Sequence, residues 1–417
     1  MKRTFLSQAG IGVLAAAVMV SCTGCGLTKQ ENLMDGIKKN EVVMSDSMEA
    51  GNVAATDFAV RLFEAGLEEE KNTLISPLSV LCALAMTANG AEGETLAQME
   101  NVLGMPIAEL NTYLHTYVEQ LPEEETYKLS LANSIWALKD DGFIINQDFL
   151  QTNANYYGAD IYRTEFDDST LKAINDWVNE HTDSMIPQIL DQIPENALMY
   201  LVNALAFDAQ WQDPYKESQV REGTFTTEAG EEQKVQMMYS EEDWYLEDEG
   251  ATGFIKYYDD RAYAFVALMP KEGISVADYV SNLTGEHLSE LLFSPERTIV
   301  KAAIPKFESE YSTEMSKILI DMGMTDAFNG DEADFSRLGT AANGNIAISR
   351  VLHKTFISVG EMGTKAGAAT VVEMVECTAM VVENSQTVYL DRPFVYLLVD
   401  CENNLPLFVG TLMDIEE

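Results

Sequence analysis

Four histidines and five cysteines are the side chains of this 417-residue chain with the widest chemical repertoire. His115, His181, His287 and His353 are scattered, and none is paired at metal-ligand spacing. Gly-x-Ser-x-Gly, His-Glu-x-x-His and the Walker loop are all absent. The chain therefore offers no catalytic triad, zinc site or phosphate cradle, and is expected to be neither an enzyme nor a binder of metals or cofactors. Cys82 and Cys401 lie in apolar runs and read as small buried hydrophobes rather than a disulfide. Cys377 has no basic neighbour in sequence to lower its pKa, so it does not read as a reactive thiol.

Charge excludes a further class. Lys and Arg total 26 against 68 Asp and Glu, a formal charge of -42, so a partner gripped through phosphates would be repelled. Nucleic acid is not an expected partner, and the acidic surface argues against heparin-like cofactors. The start of the chain departs from this pattern. Met1-Lys2-Arg3 is basic, and Ala9 to Val20 is small and apolar, too short to span a bilayer but suited to a signal sequence. Val18-Met19-Val20-Ser21-Cys22 then resembles a bacterial lipobox, in which Cys22 would be acylated. Cys25 is the weaker choice, and a plain signal peptide cut nearby is the alternative. Residues 1–21 thus read as a lipoprotein signal peptide and 22–51, polar and short of aromatics, as a lipidated tether. That places the protein on the outer face of a bacterial membrane, held by lipid.

Residues 52–417 carry no internal repeat and no second linker, and they read as one α+β unit. Apolar spacing predicts a helix from Asn52 to Glu68. Pro77 opens another that runs nearly all apolar from Ser79 to Ala88 and must be central. Further helices are expected at Leu171–Thr182, Ser275–Leu292 and Glu314–Met322. Leu129–Leu138 reads as a strand. From Met199 onward short β-rich runs dominate: Met199–Phe207, Gly253–Tyr258, Tyr263–Met269, Thr298–Ile304, Thr355–Val359, Val388–Leu390, Phe394–Val399 and Leu407–Leu412.

Several short motifs stand among these elements in a fixed order. They are Asn72 with Ser76-Pro77-x-Ser79, Leu201 to Phe207 with Trp211, Ile304-Pro305-Lys306-Phe307, Met324 to Phe328, Ala333-Asp334-Phe335-Ser336, His353-Lys354, Glu361-x-Gly363-Thr364-x-Ala366, Arg392-Pro393-Phe394 and Leu407 to Gly410. Together they resemble the serpin family of serine protease inhibitors over residues 52 to 415. The resemblance implies a serpin fold, with three β-sheets, a large central one, eight or nine helices and an exposed reactive loop. It also implies suicide inhibition, in which a protease acylates the loop and the cut loop inserts as a new strand. Ser76, Ser79, Asn203 and His353 match the family's shutter, where strands must part. Trp211, Lys306 and Glu361 match the breach, where the loop first enters, with Lys306 and Glu361 paired. A monomer is expected.

A strand buried between two neighbours must suit a period of two. Counting from Thr364, the inward set is Thr364, Ala366, Ala368, Thr370, Val372 and Met374, all uncharged, and Lys365 and Glu373 fall outward. The hinge Glu361, Gly363, Thr364, Ala366, Gly367, Ala368 and Ala369 is made largely of small residues that slip easily between strands. Glu376 would be the first inward charge, so insertion is expected to end near Met374. Family spacing from Glu361 gives Cys377-Thr378 as the cleaved bond, with Ala379, Met380 and Val381 as alternatives because the segment up to Pro393 is long. No Lys or Arg occurs from Ala366 to Asp391, and the small or medium apolar candidates predict elastase-like targets. The other reading is a serpin-fold binding module or a plain protease substrate. Hinge composition favours inhibition, and loop length speaks against it.

Overall fold

A computed structural model describes residues 30–68, 70–121, 127–140, 142–193, 199–342, 344–364 and 385–415. Among them are nine α-helices and three sheets, of seven, nine and two strands. The seven-stranded central sheet runs in the order Glu31–Asn32, Asp160–Thr164, Tyr127–Leu138, Met199–Gln210, Gly363–Thr364, Leu352–Val359, Phe307–Glu314. The nine-stranded sheet is built around Tyr263–Pro270, Phe394–Asp400 and Leu405–Leu412, in which every residue is buried. Such continuous apolar runs need cover on both faces.

The helix Pro77–Ala88 supplies part of that cover. All twelve of its residues are buried, and it lies against both Met199–Gln210 and Leu405–Leu412. Ser76 caps it, its hydroxyl accepting from the Ser79 amide at 3.4 Å, and Pro77 occupies the first helical position, where no backbone donor is needed. The opposite face of the central sheet is covered by Asp168–His181. Ile174, Trp177 and Val178 of that helix close a second, smaller core over Trp136, Tyr200 and Val202.

Three expectations change. The long helix expected over Ser275–Leu292 is two, Val276–Ser281 and Gly285–Phe293, because Ser275 and Thr284 each cap a new N-terminus with a side-chain oxygen. The strand Met199–Phe207 extends to Gln210. Finally, residues 30–48, which lie in the segment read as a tether, are packed on the body. Glu31 and Asn32 pair with Arg163 and Tyr162 at the sheet edge, and Leu33, Met34, Ile37 and Met48 rest on the core. Ser45 N–H donates to Thr116 Oγ1 at 2.7 Å, and Lys39 meets Glu119 at 2.8 Å.

Candidate functional site

The site lies where Met199–Gln210 and Leu352–Val359, parallel neighbours in the central sheet, are separated at one end by the two-residue strand Gly363–Thr364. This strand runs antiparallel to both. Gly363 pairs with Gln210, and Thr364 pairs with Ala209 on one side and Val359 on the other. Gly363 is required by close approach, since a Cβ there would sit 2.0 Å from the Ala209 carbonyl oxygen, which is backbone and cannot yield. Thr364 is 2% exposed, and its hydroxyl bonds to the Tyr258 hydroxyl.

Just before this strand, three successive carbonyls are held by the segment that follows Gln210. Trp211 Nε1 donates to Gly360, Trp211 N–H to Met362 and Tyr215 N–H to Glu361, at 2.8, 2.8 and 2.9 Å. Trp211 is fixed in turn by stacking on Tyr258, with centroids 4.4 Å apart and planes at 11°. Glu361 Oε1 accepts from Lys306 Nζ at 2.8 Å. Partial burial pushes the Glu361 carboxyl up, but the Lys306 hydrogen bond, a backbone amide and the Lys306 charge outweigh it and leave the group below its ordinary value.

At the far end the same two strands touch directly through a parallel bridge between Leu201 and Val351. Two residues along each strand from that bridge come Asn203 and His353. Asn203 faces Asn133 on its other side. His353 is buried, and its Nε2 accepts from the Ser76 N–H at 3.1 Å, so this nitrogen carries no proton. Burial pushes the imidazole down to about 4.

A sheet gripped at both ends, with a short third strand started between the grips, can admit the rest of that strand. Comparison with known proteins bears on this directly. The family model described as Serpin (serine protease inhibitor) matches residues 53–415. The chain belongs to the serpin family. The horse leukocyte elastase inhibitor is 30% identical over 385 residues, covering 87% of this chain and 99% of that one. The thermophilic serpin tengpin in its native state is 48% identical over 93% of this chain and 100% of its own, with a TM-score of 0.89. Its latent state superposes less well, at 0.80 with 46% identity, covering 90% of this chain and 100% of that one. The fold is the serpin fold, in a conformation nearer to tengpin's native form.

Of the residues singled out from the sequence, this serpin brings Trp211, Lys306, Glu361, Gly363 and Thr364 together at one end and Ser76, Ser79 and His353 together near the other. Asn203 takes its place there by backbone position. Cys22 and the loop residues Lys365, Ala366, Gly367, Ala368, Ala369, Cys377, Thr378, Ala379, Met380 and Val381 lie outside the described residues. Two members of the site were missed. Tyr258 carries Trp211 and touches Thr364, and Tyr215 holds Glu361. The tandem Tyr257-Tyr258 ahead of a turn was the one available signal, and it does not distinguish a core tyrosine from a clamp.

The buried imidazole makes the contact between His353 and Ser76 sensitive to acid. The unfolded chain protonates His353 near pH 6.5, whereas the folded one does so only near 4, so its stabilising share is full above pH 6.5 and shrinks as pH falls between those values. About 2 kcal/mol is lost between pH 7 and pH 5. Glu361 adds to this below pH 4.5, where protonation removes its bond to Lys306. His353→Gln keeps an acceptor for Ser76 and is expected to flatten the decline of the urea midpoint from pH 7 to pH 5. Identical pH profiles in the two proteins would contradict this.

Proposed function

We propose that this serpin is a suicide inhibitor of elastase-like serine proteases, cleaved at Cys377-Thr378, and that lipid on Cys22 holds it at the outer face of a bacterial membrane. The observation that carries the reading is the register in which Gly363 and Thr364 are already seated. Extended along Met199–Gln210, that register ends with Met374 opposite Met199, the strand's first residue. Extended along the other neighbour from Val359, it places Val372 opposite Val351, and the first register places Val372 opposite Leu201. Leu201 and Val351 now touch, so two independent ladders call for the same residue at the same seam. Thr370 would enter between Asn203 and His353.

The side chains agree with this register. Ala209, Phe207, Leu205, Leu201 and Met199 face the core, and the uncharged Thr364, Ala366, Ala368, Val372 and Met374 would come to lie opposite them. In this register the outward charges would meet opposite charges, Lys365 across from Asp208 and Glu373 across from Arg350, pairs that favour one register over its slips. About a dozen new ladder bonds at about 1 kcal/mol each amount to some ten kcal/mol, comparable with the stability of the protease to be deformed. Cys377 and its alternatives Ala379, Met380 and Val381 suit a small apolar specificity pocket. A relative bearing the name leukocyte elastase inhibitor is consistent with that choice.

Mixing the chain with elastase is expected to give a covalent band that survives denaturing electrophoresis, with a released peptide beginning at Thr378. A cleaved chain with elastase still active would instead support the plain-substrate reading.

A further inference from the structure

The segment that clamps the hinge is itself held from below by a charged pair that lies outside the loop and its entry strands. Lys256, on the strand Ala251–Tyr257, has a side chain 2% exposed, and its ammonium lies 2.9 Å from Glu242 Oε1 on Glu232–Glu247. The same ammonium reaches the Asp213 carbonyl at 3.4 Å and faces the rings of Tyr215 at 4.5 Å and Trp211 at 5.4 Å. Glu242 Oε1 also accepts from Ser240 Oγ at 2.6 Å, and that hydroxyl lies 3.3 Å from the Tyr215 hydroxyl. One cation thus touches Trp211, Asp213 and Tyr215. Trp211 and Tyr215 are the residues whose N–H groups hold the carbonyls of Gly360, Glu361 and Met362.

Buried ion pairs are seldom better for stability than apolar residues of the same volume, but removing one partner leaves an expensive orphan charge. Such a pair does fix position, because charge and hydrogen-bond direction together admit few arrangements. We infer that the Lys256–Glu242 pair is a positioning latch for the hinge, setting how readily the clamp on Gly360 to Met362 loosens and hence how fast the loop enters the sheet. This rests on the insertion reading above. Lys256 acts through Trp211 and Tyr215 and makes no contact of its own with the hinge.

The test measures insertion without any protease. A synthetic peptide with the sequence of residues 364–375 is incubated with the purified chain, and its uptake is timed on native gels. Lys256→Met is expected to take up peptide at least about tenfold faster than wild type, because Glu242 is left buried without a counter-charge. Lys256→Arg keeps the charge and the ring contacts and should stay within about threefold of wild type. Should Lys256→Met fail to fold, Glu242→Gln tests the same pair while preserving side-chain volume. A purely structural pair would give a different result: uptake at the wild-type rate, with the melting temperatures of the intact and loop-cleaved forms lowered equally. That result overturns the latch alone. A wild-type chain that takes up no peptide overturns the insertion reading, and the latch with it.

Discussion

Under the proposed trapping mechanism, Thr364→Arg is expected to turn this serpin from an inhibitor into a substrate. Thr364 is 2% exposed between Ala209 and Val359, with its hydroxyl on Tyr258, and it leads the strand that must enter. An arginine is expelled from the seat that Thr364 now holds, and insertion must then bury its charge without a partner before any later residue can pair, a cost of several kcal/mol. Trapping is a race between insertion and hydrolysis of the acyl bond. Slowing insertion at least about a hundredfold, which needs only about 2.8 kcal/mol, hands the race to hydrolysis. Titration of elastase should then show no covalent complex and stoichiometric consumption of the variant as cleaved chain. Thr364→Ser keeps the hydroxyl and should trap normally. Undiminished complex formation by the arginine variant would mean that burial at position 364 does not limit entry.

Glu361→Lys should shorten the life of the monomer. The native pair with Lys306 is partly exposed, with side chains 36% and 39% accessible, so its own contribution is modest and screened by salt. Reversal does more than delete it, because two ammonium groups then oppose each other where the hinge carbonyl of the same residue is held by Tyr215. A penalty of about 1.4 kcal/mol on the closed sheet corresponds to about tenfold faster opening. A sheet open at this end would expose unpaired strand edges, which recruit other chains. Size-exclusion chromatography after storage should show monomer lost about tenfold faster than in wild type, more so at low salt. The swap Lys306→Glu with Glu361→Lys should restore the monomer's lifetime. Equal monomer content in single variant and wild type would remove the pair from the control of opening.

How much of this could be read beforehand depended on whether the signal was local. Buried apolar runs such as Tyr263–Pro270 and Pro77–Ala88 were legible because each side chain there meets core on all sides. Phe307–Glu314 was not. It alternates faithfully, but the inward Ser309 interrupts its apolar face, so only Phe307 and Tyr311 marked it. The helix Gln147–Tyr157 is rich in Asn, Thr and Tyr, which are poor helix formers, and tertiary packing of Phe149, Leu150 and Ala154 decides it. Residues 30–48 looked solvated because the apolar residues that rest on the core, Leu33, Met34, Ile37 and Met48, are few and scattered among polar ones, and the main-chain pairing and polar bonds that complete the hold leave little trace in composition.

By itself the sequence determined the period-two alternation of the loop, its small hinge residues, the absence of basic cleavage positions and the family order of motifs. These are properties of side chains taken in chain order, and no fold is needed to state them. Only the tertiary structure decided where the strand starts, which seam it opens and what restrains it. Gly363 meets Ala209, Trp211 meets Gly360, and Lys256 meets Glu242 under Tyr215. These partners are far apart in sequence or on different strands. Each contact exists because strand pairing within a sheet, or the course of the chain after Gln210, brings the partners together, and the types of the residues alone carry no record of that distance.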